Sequence, residues 1–73
     1  MNTPALDRFR SRLAAGEPAL GLWVTLESAS ITEMAVALGF DWVAIDIEHG
    51  HLDWREVLDH VRAAARSETI VLV

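Results

Sequence analysis

The 73-residue sequence contains neither lysine nor cysteine, and each absence removes a class of chemistry. Without lysine, no side chain in this segment can form a Schiff base with a carbonyl substrate, so carbonyl chemistry here must use a mechanism other than a Schiff base. Without cysteine there is no disulfide, thiolate nucleophile or cysteine-ligated zinc, which agrees with a reducing compartment. We therefore expect a cytoplasmic protein.

Positive charge, long apolar runs and glycine-rich motifs are also scarce. The six cations are all arginine and the net charge is −5, so no phosphate-binding footprint for nucleic acid is expected. No apolar run approaches the ~20 residues of a membrane span, and the amino terminus does not have the pattern of a basic leader followed by an apolar core. Because the four glycines are dispersed and form no G-x-G-x-x-G or P-loop, a nucleotide site is not expected either.

Apolar residues, by contrast, are abundant. They make up 52 % of the chain, and the mean hydropathy is +0.26. A chain of this length can bury roughly 60 % of its surface by itself. The excess predicts missing partner surface, supplied either by other copies of the chain or by further elements of a larger fold.

The periodicity predicts six alternating elements. A first helix begins at Thr3-Pro4 with a capping hydroxyl and ends at Gly16. A second begins at a capping box of Ser30 and Glu33 and stops at Gly39, and a third begins at a similar pair, Asp53 and Glu56. Short apolar runs predict the strands: residues 20–26, 41–47 and 70–73.

This alternation predicts a parallel sheet, either a closed barrel or an open doubly wound sheet. Because no glycine fingerprint follows the first strand, we predict an α/β fold that comprises the N-terminal portion of a (β/α)₈ TIM barrel. Residues 1–73 would form a partial domain, and the chain stops in mid-strand, so the rest of the barrel is expected to be absent.

Helical spacing also predicts which side chains are buried. In the second helix the apolar stripe is Ile31, Met34, Ala35 and Leu38. In the third helix it is Trp54, Val57, Leu58, Val61 and Ala65, which places Trp54 in the core and His60 in solvent. Arg8, Arg10 and Arg12 cannot share one face of the first helix, and we interpret them as a solvated outer surface rather than an anion site.

Asp46, Glu48 and His49 follow the second strand at its carboxyl end, where parallel α/β folds place their ligand sites. Strand alternation puts Trp42, Ala44 and Asp46 on one face, towards the mouth of a barrel. A carboxylate beside an imidazole can fix its tautomer and raise its basicity, and a second carboxylate can hold water or a divalent cation. These three residues are the candidate catalytic group.

Other interpretations of these residues remain open. An aspartate at a strand end can cap the next helix, and a Glu-His pair can be loop surface. His49 and His51 with Glu48 could ligate zinc, although two histidines in a short turn are more often surface groups. Trp23 could belong to the core or to a pocket wall.

From Leu20 onward the sequence carries Gly21-Leu22-Trp23, then Glu33, and then Gly39-Phe40-Asp41-Trp42-Val43 leading into Asp46-Ile47-Glu48-His49-Gly50. In these residues it resembles the N-terminal part of the HpcH/HpaI aldolases, which are class II, metal-dependent pyruvate aldolases of the phosphoenolpyruvate/pyruvate barrel superfamily. The most specific part of the resemblance is the last of these segments.

The resemblance implies a lyase that joins or separates a pyruvate enolate and an aldehyde, as for 4-hydroxy-2-oxo acids. His49 would be the acid–base group acting through a metal-bound water, with Asp46 as its partner, Glu48 supporting the water network and Trp23 near the substrate pocket. The cofactor would be Mg²⁺ or Mn²⁺, with Co²⁺ or Zn²⁺ as other candidates. The partners would be a 2-oxo acid, an aldehyde and further copies of the chain in a hexamer, without nucleic acid or membrane.

The family takes its direct metal ligands, a Glu and an Asp, from later strands and a carboxylate-binding arginine from the end of the third strand, and these residues are expected downstream of Val73. The 73-residue chain alone is therefore expected to be inactive. Two alternatives stay open, namely a citryl- or malyl-thioester lyase of the same superfamily and an assembly fragment without catalysis.

Overall fold

A computed structural model describes residues 2–73, which form three helices and three strands in the predicted alternation. The elements are α1 (Thr3–Ala14), β1 (Gly21–Val24), α2 (Ala29–Ala37), β2 (Trp42–Ile45), α3 (Trp54–Ala64) and β3 (Ile70–Leu72). Both β1 and β2 are shorter at each end than the apolar runs predict. In residues 2–73, no helix has both the length and the apolar character needed to cross a bilayer.

The strands form one parallel sheet in the order β1-β2-β3. The register pairs Trp23 with Ala44, and Ala44 with Leu72, so these three residues lie side by side on one face. Parallel strands that are neighbours in both sequence and space, joined by helices, form an α/β segment consistent with part of a TIM barrel. This confirms the predicted fold class.

The core lies between the sheet and the helices α2 and α3. Val43 and Ile45 of β2 are 0 % and 3 % exposed and pack in one cluster with Ala35 of α2 and Val57 of α3. The predicted alternation along β2 is therefore confirmed, because its β-branched side chains pack in the helix-facing core. Asp46, one residue beyond β2, lies on the opposite face with Ala44.

The helix starts agree only in part with the predicted caps. Asp53 and Glu56 form the predicted capping box, in which each side chain accepts a backbone N–H of the other residue. The Ser30 prediction is wrong, since α2 begins at Ala29 with Ser28 in the capping position. The Thr3 prediction is also wrong by one residue: Asn2 caps α1, and its Oδ1 accepts a hydrogen bond from the Ala5 N–H at 3.1 Å.

Two predictions about α3 are wrong. His60 is fully buried, and Trp54 is 70 % exposed. The reason is a polar contact between helices: His60 Nδ1 lies 2.6 Å from Thr32 Oγ1 of α2, and His60 Nε2 lies 3.2 Å from the Glu27 carbonyl oxygen. This contact turns α3 so that Val57, His60 and Ala64 face inward, leaving part of the predicted apolar stripe in solvent.

The predicted stripe of α2 is likewise only partly buried. Ala35 is buried and Ile31 packs against the core, whereas Met34 and Leu38 are exposed. A helix that packs between a sheet and one neighbouring helix buries a limited arc, and the remainder of its apolar side stays uncovered.

Helix α1 lies across the amino-terminal edge of the sheet. Arg12 binds Asp41, just before β2, at 2.6 Å, and Asp41 Oδ2 also accepts the Leu20 N–H at 2.8 Å. Arg8 forms an ion pair with Glu68, just before β3. The three arginines of α1 are exposed, as predicted, but two of them bind α1 to the strands.

Candidate active site

The site begins where β2 ends. Asp46 continues the ladder by one residue, because its N–H donates to the Val24 carbonyl oxygen at 2.9 Å. The following loop then turns back to the end of β1, where the His51 N–H donates to the Thr25 carbonyl oxygen at 3.2 Å. A Cβ on Gly50 would come within 2.4 Å of that same oxygen, so the loop lies closely against β1. These contacts fix residues 46–51 at the carboxyl edge of the sheet.

Four donors surround the carboxylate of Asp46. Oδ1 accepts the backbone N–H groups of Glu48 and His49 at 2.9 and 3.0 Å. Oδ2 accepts the indole N–H of Trp23 at 2.9 Å and lies 3.1 Å from Nδ1 of His49. The His49 N–H and then the Trp23 indole hold the pKa of Asp46 well below its usual range. The carboxylate is therefore ionised near neutral pH.

An ionised Asp46 determines how His49 carries its proton. A carboxylate can accept but cannot donate, so Nδ1 of His49 bears the hydrogen and Nε2 is left to exchange a proton with a ligand. Nε2 lies 3.3 Å from Oε1 of Glu48, close enough for Glu48 to accept the N–H of the imidazolium. Because the His49 side chain is 72 % exposed, the exchanging nitrogen is accessible.

A cleft of about 290 Å³ adjoins this cluster. Trp23, Ala44 and Leu72 supply its apolar part, and Asp46 and Glu48 lie at its polar side. The indole of Trp23 is 65 % exposed, so Trp23 is a wall of the cleft rather than part of the core.

The structure thus brings together Asp46, Glu48, His49 and Trp23, while their catalytic roles stay predictions. In residues 2–73, no group of three acidic or histidine residues is arranged to hold a metal ion, so the alternative zinc site with His51 is not formed. A divalent metal bound by residues other than 2–73 stays a prediction.

Sequence reasoning missed the bond between Trp23 and Asp46. The two residues are separated by 23 positions, and their contact depends on the register that pairs Trp23 with Ala44. The alternation pattern placed Asp46 on the mouth side of the sheet and left Trp23 open between core and pocket wall, because an apolar run does not reveal which indole N–H will meet which carboxylate.

The sequence is similar to those of several aldolases. It is 44 % identical over 61 residues to a hydroxypyruvate/pyruvate aldolase of Agrobacterium fabrum, a match that covers 84 % of this chain and 23 % of that protein. It is 40 % identical over 59 residues to a 4-hydroxy-2-oxo-heptane-1,7-dioate aldolase of Escherichia coli, covering 81 % of this chain and 22 % of that protein.

A hydroxypyruvate/pyruvate aldolase of Deinococcus radiodurans is 39 % identical over 62 residues, with 85 % of this chain and 22 % of that protein covered. No family model matches the chain. The chain therefore spans less than a quarter of the length of these relatives.

Proposed function

Since the chain belongs to the HpcH/HpaI aldolase family over the segment that it shares with these relatives, we propose that it forms part of a carbon–carbon lyase. The substrates are 4-hydroxy-2-oxo acids, which the enzyme cleaves to an aldehyde and pyruvate and re-forms in the reverse direction. The observation that supports this most directly is the Asp46–His49 pair at the carboxyl edge of the sheet, where Asp46 also lines a small cleft.

His49 moves the protons of this reaction. In cleavage, Nε2 accepts the proton of the 4-hydroxyl group, directly or through one water, and the C3–C4 bond breaks to give the aldehyde and the enolate of pyruvate. Return of a proton to C3 then gives pyruvate. Asp46 stabilises the imidazolium by accepting a hydrogen bond from Nδ1–H. Between the two proton transfers, Glu48 accepts a hydrogen bond from the protonated Nε2.

The enolate requires a positive partner, and this segment has no lysine to provide an iminium. A divalent cation, when bound, stabilises an enolate oxygen as a Lewis acid. We propose Mg²⁺ or Mn²⁺, held by residues other than 2–73, because no three acidic or histidine side chains of residues 2–73 are grouped to hold a metal ion. The protein is further proposed to be cytoplasmic and to form a homo-oligomer, a hexamer.

Exchange of the pyruvate methyl protons in D₂O, followed by ¹H NMR, tests this proposal. Deprotonation of pyruvate is half of the aldol reaction and needs no knowledge of the aldehyde. In the complete enzyme, His49→Ala should slow exchange by about 10²- to 10⁴-fold, because a positioned general base is lost. EDTA should also abolish exchange, and added Mg²⁺ or Mn²⁺ should restore it.

His51→Ala is the matched control, since it removes an imidazole two residues away whose backbone N–H alone makes a contact in the site. That variant should exchange within about twofold of the unchanged protein. Exchange that survives both EDTA and His49→Ala would show that another group and another mechanism deprotonate pyruvate.

A further inference from the structure

Trp23 makes a contact that lining a cleft does not require. Its indole N–H donates to Oδ2 of Asp46 at 2.9 Å, and this is the same oxygen that faces Nδ1 of His49 at 3.1 Å. We propose that Trp23 is a positioning residue, which orients the Asp46 carboxylate towards His49 and moderates its charge. This inference rests on the proposed function.

The geometry supports a positioning role because it fixes the carboxylate at two points. Backbone N–H groups of the loop hold Oδ1, and the indole holds Oδ2 from a different strand. Rotation of the carboxylate about its Cβ–Cγ bond would break at least one of these contacts. With both in place, Oδ2 stays aligned with the imidazole of His49, and the imidazole keeps one orientation.

The exposure of Trp23 points the same way. Its side chain is 65 % exposed on the helix-free face of the sheet, whereas the neighbouring Ala44 is 8 % exposed. Core packing therefore does not account for an indole at position 23. Its N–H is nevertheless directed at a carboxylate that is itself 8 % exposed, and a phenylalanine would supply the same wall without that contact.

Sharing Oδ2 between two donors has an electrostatic consequence. The indole N–H draws negative charge from the oxygen, so Oδ2 holds the Nδ1–H of His49 less strongly than a free carboxylate would.

Trp23→Phe tests the positioning role in the complete enzyme, with Trp54→Phe as the matched control on the exposed side of α3. We expect Trp23→Phe to lower kcat for pyruvate proton exchange about tenfold and to leave KM within about twofold. Trp54→Phe should change none of these.

The hydrogen bond has its own test, which does not depend on activity. The indole ¹⁵N–¹H resonance of Trp23, assigned by its loss in Trp23→Phe, should move upfield in Asp46→Asn, while that of Trp54 stays in place. A Trp23 resonance that does not move in Asp46→Asn, or a kcat unchanged in Trp23→Phe, would refute the positioning role. If the protein without substitutions exchanges no pyruvate protons, but the Trp23 resonance still moves in Asp46→Asn, the proposed reaction is refuted and Trp23 remains the residue that holds Asp46.

Discussion

At the scale of single residues, the charge of the site depends on Asp46. Because N–H donors favour its ionised form, its pKa lies below the ordinary value of 3.8. The stabilisation that ionised Asp46 provides is therefore fully present above that ordinary value and is lost only as the pH falls through the lower value of the folded state. At any pH where the enzyme is assayed, Asp46 contributes a constant negative charge.

This can be measured from the side-chain carboxyl ¹³C resonance of Asp46. Between pH 7 and about pH 4 we expect the resonance to stay at its ionised position. In Trp23→Phe, which removes one donor, the titration midpoint should be higher than in the unchanged protein. A midpoint at the ordinary value in both proteins would mean that the four hydrogen bonds do not persist in solution.

The residues of the site differ in how far the sequence predicts them. Asp46, Glu48 and His49 lie within four positions, and the carboxyl end of a strand is recognisable from the chain alone, so their proximity was predictable. His60 was predicted in solvent and is buried, because its partner Thr32 is 28 positions away on another helix. A histidine on an otherwise polar arc carries no local sign of such a partner.

At the scale of elements, the contact between Thr32 and His60 joins α2 to α3. The Glu27 carbonyl can only accept, so Nε2 of His60 carries the hydrogen, and in the neutral ring Nδ1 accepts from the Thr32 hydroxyl. Thr32→Val leaves Nδ1 buried without a donor. We expect a loss of about 1–3 kcal/mol in the free energy of unfolding, measured by urea denaturation.

Ser30→Ala is the control for this prediction and also tests where α2 begins. Ser30 lies inside α2 and is exposed. Its removal should change the free energy of unfolding by less than about 0.5 kcal/mol. If Ser30 capped the helix, as its sequence pattern predicts, the loss would be about 1 kcal/mol. A loss of about 1 kcal/mol in Ser30→Ala would contradict the start of α2 at Ala29, and a loss below about 0.5 kcal/mol in Thr32→Val would contradict the buried Thr32–His60 bond.

The caps show why some helix ends are predictable and others are not. The Asp53–Glu56 box is a contact within four residues of one chain segment, and it forms as predicted. Ser30 and Glu33 have similar spacing, but α2 already begins at Ala29. Several small polar residues precede α2, and packing against the sheet, rather than the residue pattern, selects the first turn.

The ion pair between Arg12 of α1 and Asp41, just before β2, should make the stability of the fold depend on pH. Arg12 and then the Leu20 N–H lower the pKa of Asp41. This contribution is present above the ordinary value of 3.8 and is lost as the pH falls through the lower folded-state value. Asp41→Asn should therefore lower the thermal unfolding midpoint at pH 7 and leave it closer to that of the unchanged protein below about pH 3. A difference that is constant with pH would contradict this.

At the scale of the whole molecule, helices α2 and α3 both keep apolar side chains exposed to solvent. Exposed side chains lie along α3 at Trp54, Leu58 and Val61, and on α2 at Met34 and Leu38. The strands β1 and β3 form the two open edges of the sheet. This is the uncovered surface that the high apolar content predicts, and neighbouring βα units of a barrel would cover it.

We therefore expect the 73-residue chain by itself to associate. Light scattering after gel filtration should give a mass well above that of one chain. Replacing Trp54 and Leu58 by serine should reduce the association, because these side chains are exposed and outside the core cluster. A cooperative, monomeric fold for the unchanged chain would show that the uncovered surfaces are tolerated in water.

Gly21 and Trp42 are register partners in the sheet, and a Cβ on Gly21 would overlap the indole of Trp42 at 1.9 Å. The space above one residue is thus filled entirely by the other, and neither position can vary independently. Among related sequences, a larger side chain at position 21 should occur together with a smaller one at position 42. The two positions should therefore co-vary as a single volume, although one lies in β1 and the other in β2.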